Sequence, residues 1–273
     1  DRGSDGIFVQ CVAAAGIAGC LRDRPAEHVP EQFVVSKGGM AMLRYFTAFG
    51  PQCQRLRQES GTVSAIAGIL KAPLDILADK LRGYLGLTMD ILERPAKVQA
   101  ACEALMPHLL SVALSGADPE KNVPVGFWMH RGCVPFVSHE TFTKLYWPTL
   151  KPIIEELWRQ GHQVLFYAEG KWGHHLQAFA ELPDKSIIYH VDQDDIFSVR
   201  DALGHKFCIS GGIPNYLLAF ETPEKVRAYC KKVIDGVARE GGYIMDASAI
   251  VQNDAKVENI KAMTDFTREY GVY

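Results

Sequence analysis

Short apolar runs rich in Val, Ile and aromatic residues alternate along the chain with longer stretches of helical period, the pattern of repeated βα units that build a parallel sheet. Seven runs read as strands, over residues 6–13, 63–69, 123–130, 162–169, 186–192, 206–212 and 242–248. Eight such strands close a βα barrel, so the count is one short. The pattern predicts a single α/β domain over residues 1–273, a (β/α)8 TIM barrel with an incomplete or missing amino-terminal portion. Since the chain starts at Asp1 in the middle of what reads as a structural unit, more of the natural protein is expected before it.

The segments between strands carry helix signals. Residues 74–92 place Leu74, Leu77, Leu81, Leu85 and Met89 three or four apart, which predicts one helix with one buried face. A second helix is expected from Pro95 to Ser115. Ser138, followed by Glu140 and Thr141, can cap a helix that runs through Tyr146 to Trp158 and stops at Gly161. Pro148 and Pro152 each remove a backbone donor and argue against a straight rod there. Thr222-Pro223-Glu224-Lys225 reads as an N-cap with Pro at the first helical position, and Gly241-Gly242 closes that helix before the last strand.

Composition narrows the class. Apolar residues are 48% and charged residues 22%, which excludes disordered and fibrous chains. The net charge is -3 and the basic residues are scattered, so nucleic acid is not expected as a partner. Apolar stretches such as 9–21 are broken by Gln10 or ended by charges, short of the ~20 residues of a membrane span. With no signal-peptide pattern either, a cytoplasmic protein without a membrane partner is expected. The cysteines, Cys11, Cys20, Cys53, Cys102, Cys133, Cys208 and Cys230, form no tight pair and read as reduced core thiols.

Candidate chemistry collects where strands end, which in a barrel is where active sites sit. Met129 runs into His130-Arg131-Gly132, Phe166 into Tyr167-Ala168-Glu169-Gly170, Tyr189 into His190-Val191-Asp192, Ser210 into Gly211-Gly212, and Met245 into Asp246-Ala247-Ser248. Residues two apart share a strand face, which pairs Tyr167 with Glu169, His190 with Asp192 and Asp246 with Ser248. The predicted mouth thus combines carboxylates, a phenol and imidazoles. Phe127, Trp128, Phe136, Phe166, Tyr167 and Trp172 lie near the same rim and could line a flat apolar substrate. Adjacent histidines on a helix point about 100° apart, so His174-His175 is a poor metal pair.

The run Ile209-Ser210-Gly211-Gly212-Ile213-Pro214, then Leu217-Leu218, Thr222-Pro223-Glu224-Lys225-Val226 and Gly241-Gly242-Tyr243-Ile244, resembles the carboxyl-terminal signature of the uroporphyrinogen decarboxylase superfamily. Residues 257–262 are similar to its closing helix. The family includes the heme-pathway decarboxylase and zinc-dependent methyltransferases that exchange a methyl group with a corrinoid protein. Its thiol-activating members carry His-X-Cys-Gly where this chain has Tyr167-Ala168-Glu169-Gly170, and a later Cys where it has Asp246-Ala247-Ser248. That zinc site is lost; any zinc would need harder ligands, with Glu169 the candidate.

The decarboxylase holds its polycarboxylate substrate with amino-terminal arginines and an aspartate, for which residues 1–60 show no equivalent. The resemblance therefore implies the methyltransferase component of a corrinoid-dependent O-demethylase, acting on a methoxylated aromatic substrate. Glu169 would be general acid or metal ligand, its proton retained by burial beside Trp128 or Trp172. Tyr167, His130 and Asp246 would share the catalytic site. Trp128, Arg131, Phe166, Trp172, Asp192, Gly211 and Gly212 would bind substrate. Cobalamin would sit on the corrinoid partner, because the DxHxxG binding pattern is missing here. A homo-oligomer is compatible with the sequence. The alternatives are a decarboxylase-like lyase and a non-catalytic small-molecule-binding barrel.

Overall fold

The computed structural model describes residues 29–61 and 64–272. Where the pattern predicts one domain, contacts divide the chain into two units, residues 1–65 and 66–273. In the first, α1 is a single long helix, Val29–Ser60, whose Leu43, Phe49 and Leu56 are exposed. The predicted strand at 6–13, Cys11 and Cys20 lie outside the described residues.

The second unit holds the sheet. Its strands are β1 (Ile69–Leu70), β2 (Val125–Met129), β3 (Val164–Ala168), β4 (Ile187–Val191), β5 (Cys208–Ile213) and β6 (Tyr243–Ala247). All pair in parallel and in sequence order, as strands of a barrel do, and six are present among the described residues. Five of the predicted strands fall within two residues of their predicted ends. The one expected at 63–69 shrinks to two residues and moves to its far end.

Between β1 and β2 lie α2 (Pro73–Ile76), α3 (Tyr84–Glu93) and α4 (Pro95–Gly116). Here the single helix expected over 74–92 is corrected. A wide turn at Leu77–Leu81 and a break at Gly83, whose φ is +79°, re-phase the backbone. As a result Leu81, Leu85 and Met89 are 63%, 82% and 51% exposed, and the buried positions are Leu74, Asp75, Ala78 and Leu87. By length and composition α4 could cross a membrane, contrary to the expectation that no stretch would; its Val98, Cys102, Leu109 and Ala113 are buried in the core.

After β2, the Ser138 hydroxyl accepts a hydrogen bond from the Thr141 N–H at 3.1 Å and starts α5 (His139–Thr141), as predicted. The helix then widens over Phe142–Tyr146, where the Trp147 N–H reaches back to the Phe142 carbonyl, before continuing as α6 (Trp147–Arg159). Pro148 has no N–H to continue the regular ladder, which is why the turn loosens there. The remaining helices are α7 (Leu176–Phe179), α8 (Ile196–Leu203), α9 (Asn215–Phe220), α10 (Pro223–Val233) and α11 (Val257–Tyr270). Thr222 has the extended backbone of a cap, but its hydroxyl bonds the Glu224 carboxylate, not a backbone N–H.

One face of the sheet packs against helices. Phe127, Phe166, Tyr189 and Ile209 have no exposed surface and meet Trp172, Phe179, Phe142 and Leu150. Phe166 lies edge-on to Trp172 and Phe179, with ring centroids 5.2 and 4.8 Å away. Each such ring contributes roughly 1.5–3 kcal/mol by leaving water. The dry aromatic layer fixes the strands, and so the opposite face is free to carry polar chemistry.

Candidate active site

Strand register builds the site in two tiers. Trp128 pairs with Tyr167, Tyr167 with His190, His190 with Ser210 and Ser210 with Ile244, so one row of side chains crosses the sheet on the face away from the aromatic core. Two residues further along the same face come His130, Glu169, Asp192, Gly212 and Asp246, at the carboxyl ends of their strands. The lower row is a largely aromatic floor; the upper row holds the charges.

His130 Nδ1 stands 2.7 Å from Glu169 Oε2 across the ends of β2 and β3. The His130 side chain is mostly buried, whereas that of Glu169 is 45% exposed. The turn that presents His130 is held from below by Asp75 of α2. One of its carboxylate oxygens accepts the backbone N–H groups of both His130 and Arg131 at 2.8 Å. The other accepts the Tyr146 hydroxyl at 2.6 Å. Burial raises the Asp75 carboxyl above its ordinary range, and these three donors work against that rise. One turn on, burial would also raise Asp79, but Lys71 at 2.8 Å and Arg131 at 2.9 Å outweigh it and hold that carboxyl low.

Beneath the charged row, Tyr167 stacks on His190 with centroids 4.5 Å apart. Burial, with Asp192 and Glu169 nearby, pushes the phenol well above its ordinary range and keeps it protonated. His190 Nε2 faces the Ser248 carbonyl at 3.1 Å, which requires a proton on that nitrogen. Its Nδ1 then accepts from the Ser210 hydroxyl at 3.3 Å and lies 3.9 Å from Asp246 Oδ2. Burial lowers the imidazole, opposed by Asp246. Asp192, half-buried, accepts the Gly170 N–H at 2.8 Å; burial raises it, and repulsion from Glu169 adds to the effect.

The uroporphyrinogen decarboxylase (URO-D) family pattern matches residues 43–270, more than four fifths of the chain. The chain belongs to that family. A methyltransferase from Methanosarcina mazei has a similar structure, with a TM-score of 0.65 and 14% sequence identity; the match covers 81% of this chain and 63% of that one. The chain thus spans less than two thirds of that structure's length, and the likeness supports the TIM-barrel fold of the family. No curated protein sequence matches.

Within this URO-D barrel the predicted residues separate into two groups. His130, Tyr167, Glu169, Asp192, Asp246 and Trp128 share the polar face. Phe166 and Trp172 do not: both are fully buried in the aromatic core, Phe166 because it alternates with Tyr167 and Trp172 because its indole N–H is tied to the Glu169 carbonyl at 2.9 Å. They are corrected from substrate lining to core. The expected burial of Glu169 beside a tryptophan is not found: its side chain is 45% exposed.

Arg131 is committed to Asp79 and packs against the Phe136 ring at 4.7 Å. Gly211 and Gly212 are required by the backbone. Both have φ near +80°, and a methyl group on Gly212 would stand 2.3 Å from Ile196 Cδ1. His175, in turn, is buried against Phe142 with its Nδ1 3.2 Å from that of His139, and burial lowers it to about 4.

Sequence reasoning passed over Asp75, Asp79 and Lys71, which follow the shortest strand and lie more than fifty residues from His130. It also left His190 off the catalytic set, although alternation had aligned it with Asp192. The family's thiol-activating zinc site finds no match. Among the described residues no three His, Cys, Asp or Glu side chains gather to hold a metal ion. Cys133, beside Gly170, is buried and pushed up to about 11, a thiol and not a thiolate ligand. The residues present do not fit a cysteine-held zinc.

Proposed function

We propose that this URO-D family chain is a cytoplasmic methyltransferase that takes a methyl group from a methoxylated aromatic substrate and delivers it to the cobalt of a partner corrinoid protein. The observation that carries the reading is the 2.7 Å His130–Glu169 pair at the strand ends, above the Trp128–Tyr167 floor. The similarity to a solved methyltransferase agrees with it.

A phenoxide is a poor leaving group, so the ether oxygen needs a proton as its bond to the methyl carbon breaks. The His130–Glu169 pair holds such a proton between Nδ1 and Oε2, in reach of the mouth because Glu169 is half-exposed. As the C–O bond breaks, its electrons stay on oxygen, the pair's proton moves there, and a phenol leaves. Trp128 and the protonated Tyr167 hold the flat ring. Asp192, raised by burial and in part by repulsion from Glu169, lies beside the pair at the strand ends. The partner's cobalt, in its reduced state, supplies the nucleophile that accepts the methyl group.

The decarboxylase alternative wants free cations for a polycarboxylate, whereas Lys71 and Arg131 are both engaged by Asp79. A direct test incubates the purified chain with cob(I)alamin-loaded corrinoid protein and a panel of methoxyarenes. The expected result is release of the matching phenol in step with loss of the cobalt(I) spectrum. Carbon dioxide release from a porphyrinogen, with no phenol from any methoxyarene, would replace this reading with the decarboxylase one.

A further inference from the structure

We propose that a second cavity, beside α2 and α3, binds a small monocarboxylate with an apolar body, its head held by Arg131. The cavity measures about 220 Å³ and lies between α2, the wide turn after it, α3 and the loop that follows β2. Leu74, Ala78 and Leu87 give it a buried apolar lining, and the rings of Tyr84 and Phe136, edge to face at 5.2 Å, stand in its wall. None of the residues of the polar mouth lines it, so it is a room of its own. Its size is below the roughly 300–1,000 Å³ of sites for drug-sized ligands, which suits one ring or a short chain.

Arg131 is the one charged residue in that lining. Its neighbour His130 reaches Glu169, whereas Arg131 reaches Asp79, Tyr84 and Phe136. The guanidinium is pinned: Nε donates to Asp79 Oδ1 at 2.9 Å, and the central carbon lies 4.7 Å from the Phe136 centroid and 5.4 Å from that of Tyr84. Among the described residues its two terminal nitrogens donate no hydrogen bond. Asp79 also accepts Lys71, through its other oxygen at 2.8 Å, so one carboxylate serves two cations.

A planar fork held still, with both outer donors unspent, matches the two oxygens of a carboxylate. A neutral apolar guest would strip water from those donors and return nothing, which costs binding energy. The apolar lining in turn rewards a hydrocarbon body behind the head group. One fork takes one carboxylate, which sets this site apart from a polycarboxylate cleft. The proposal stands whether or not the mouth transfers a methyl group.

The experiment titrates the full chain with benzoate and hexanoate, and with benzyl alcohol and 1-hexanol as uncharged counterparts, while the Leu87 methyl signals are followed by NMR. The acids are expected to bind with dissociation constants on the order of a millimolar and to move those signals. The alcohols should bind at least about tenfold more weakly, for want of the charge-assisted pair. Ile91→Trp, which fills the cavity from its α3 wall, should abolish the shifts, and Arg131→Gln should bring the acids down to the alcohols. Should Arg131→Gln fail to fold, Ile91→Trp and the contrast between acid and alcohol decide. Acids that bind no better than alcohols, or that Ile91→Trp still binds, overturn the proposal. So does benzoate that moves the Trp128 indole signal and leaves Leu87 unmoved, a result that would place the acid in the mouth.

Discussion

The two faces of the sheet are made from alternate residues of the same strands, yet they obey different rules. On one face Phe127, Phe166 and Tyr189 interlock with helix residues and expose nothing to solvent. On the other Trp128, Tyr167 and His190 form a floor under His130, Glu169, Asp192 and Asp246. The first face is satisfied by shape alone. The second needs partners for each polar group, and those partners come from distant segments: Asp75 for the His130 turn, Ser248 for His190, Gly170 for Asp192. Stability and chemistry are thus separated by a single step along the chain, and substitutions on the two faces should be told apart by what they damage.

The largest expected effect is on the dry face. Trp172→Ala removes a fully buried indole that meets Phe142, Phe166 and Phe179, and should destabilise the fold by about 3–5 kcal/mol, seen as a lowered urea midpoint with an unchanged slope. On the polar face, Glu169→Gln should cut turnover at least about a hundredfold. Because its side chain is 45% exposed, the unfolding free energy from urea melts should change by no more than about 0.5 kcal/mol. A Glu169→Gln protein that turns over normally would dissolve the distinction between the faces.

The smallest effect is a pH dependence on the dry side. His175 is lowered by burial, and by His139 and His174, from 6.5 to about 4. A depressed pKa contributes stability that is present above pH 6.5 and lost as pH falls through about 4. Thermal melts between those values should show the loss, and His175→Phe, which stays neutral against Phe142, should flatten it.

Much of this was legible in the sequence, for identifiable reasons. The later strands end on Gly, Pro or polar residues that mark their limits, and alternation alone placed Tyr167 with Glu169 on one face. The same alternation places Phe166 opposite them; reading it as rim overweighted its position near a strand end. Periodicity over 74–92 misled because Gly83 interrupts the phase, which turns Leu85 from core to surface. The His130–Glu169 pair needs the register between β2 and β3, and the Asp75 clamp needs a fold that returns to His130 after fifty-five residues. Neither is a local property.

The loosened turn at Phe142–Tyr146 absorbs one residue more than a regular helix of the same span. Tyr146, which reaches Asp75, sits at the end of that surplus. Deleting a single residue between Ser138 and Trp147 would restore a regular backbone while rotating whatever precedes it by about 100° around the axis. Chain length between those two points is therefore itself a coordinate of the site: a relative one residue shorter there must bring a different side chain to the counterpart of Asp75, or bring none.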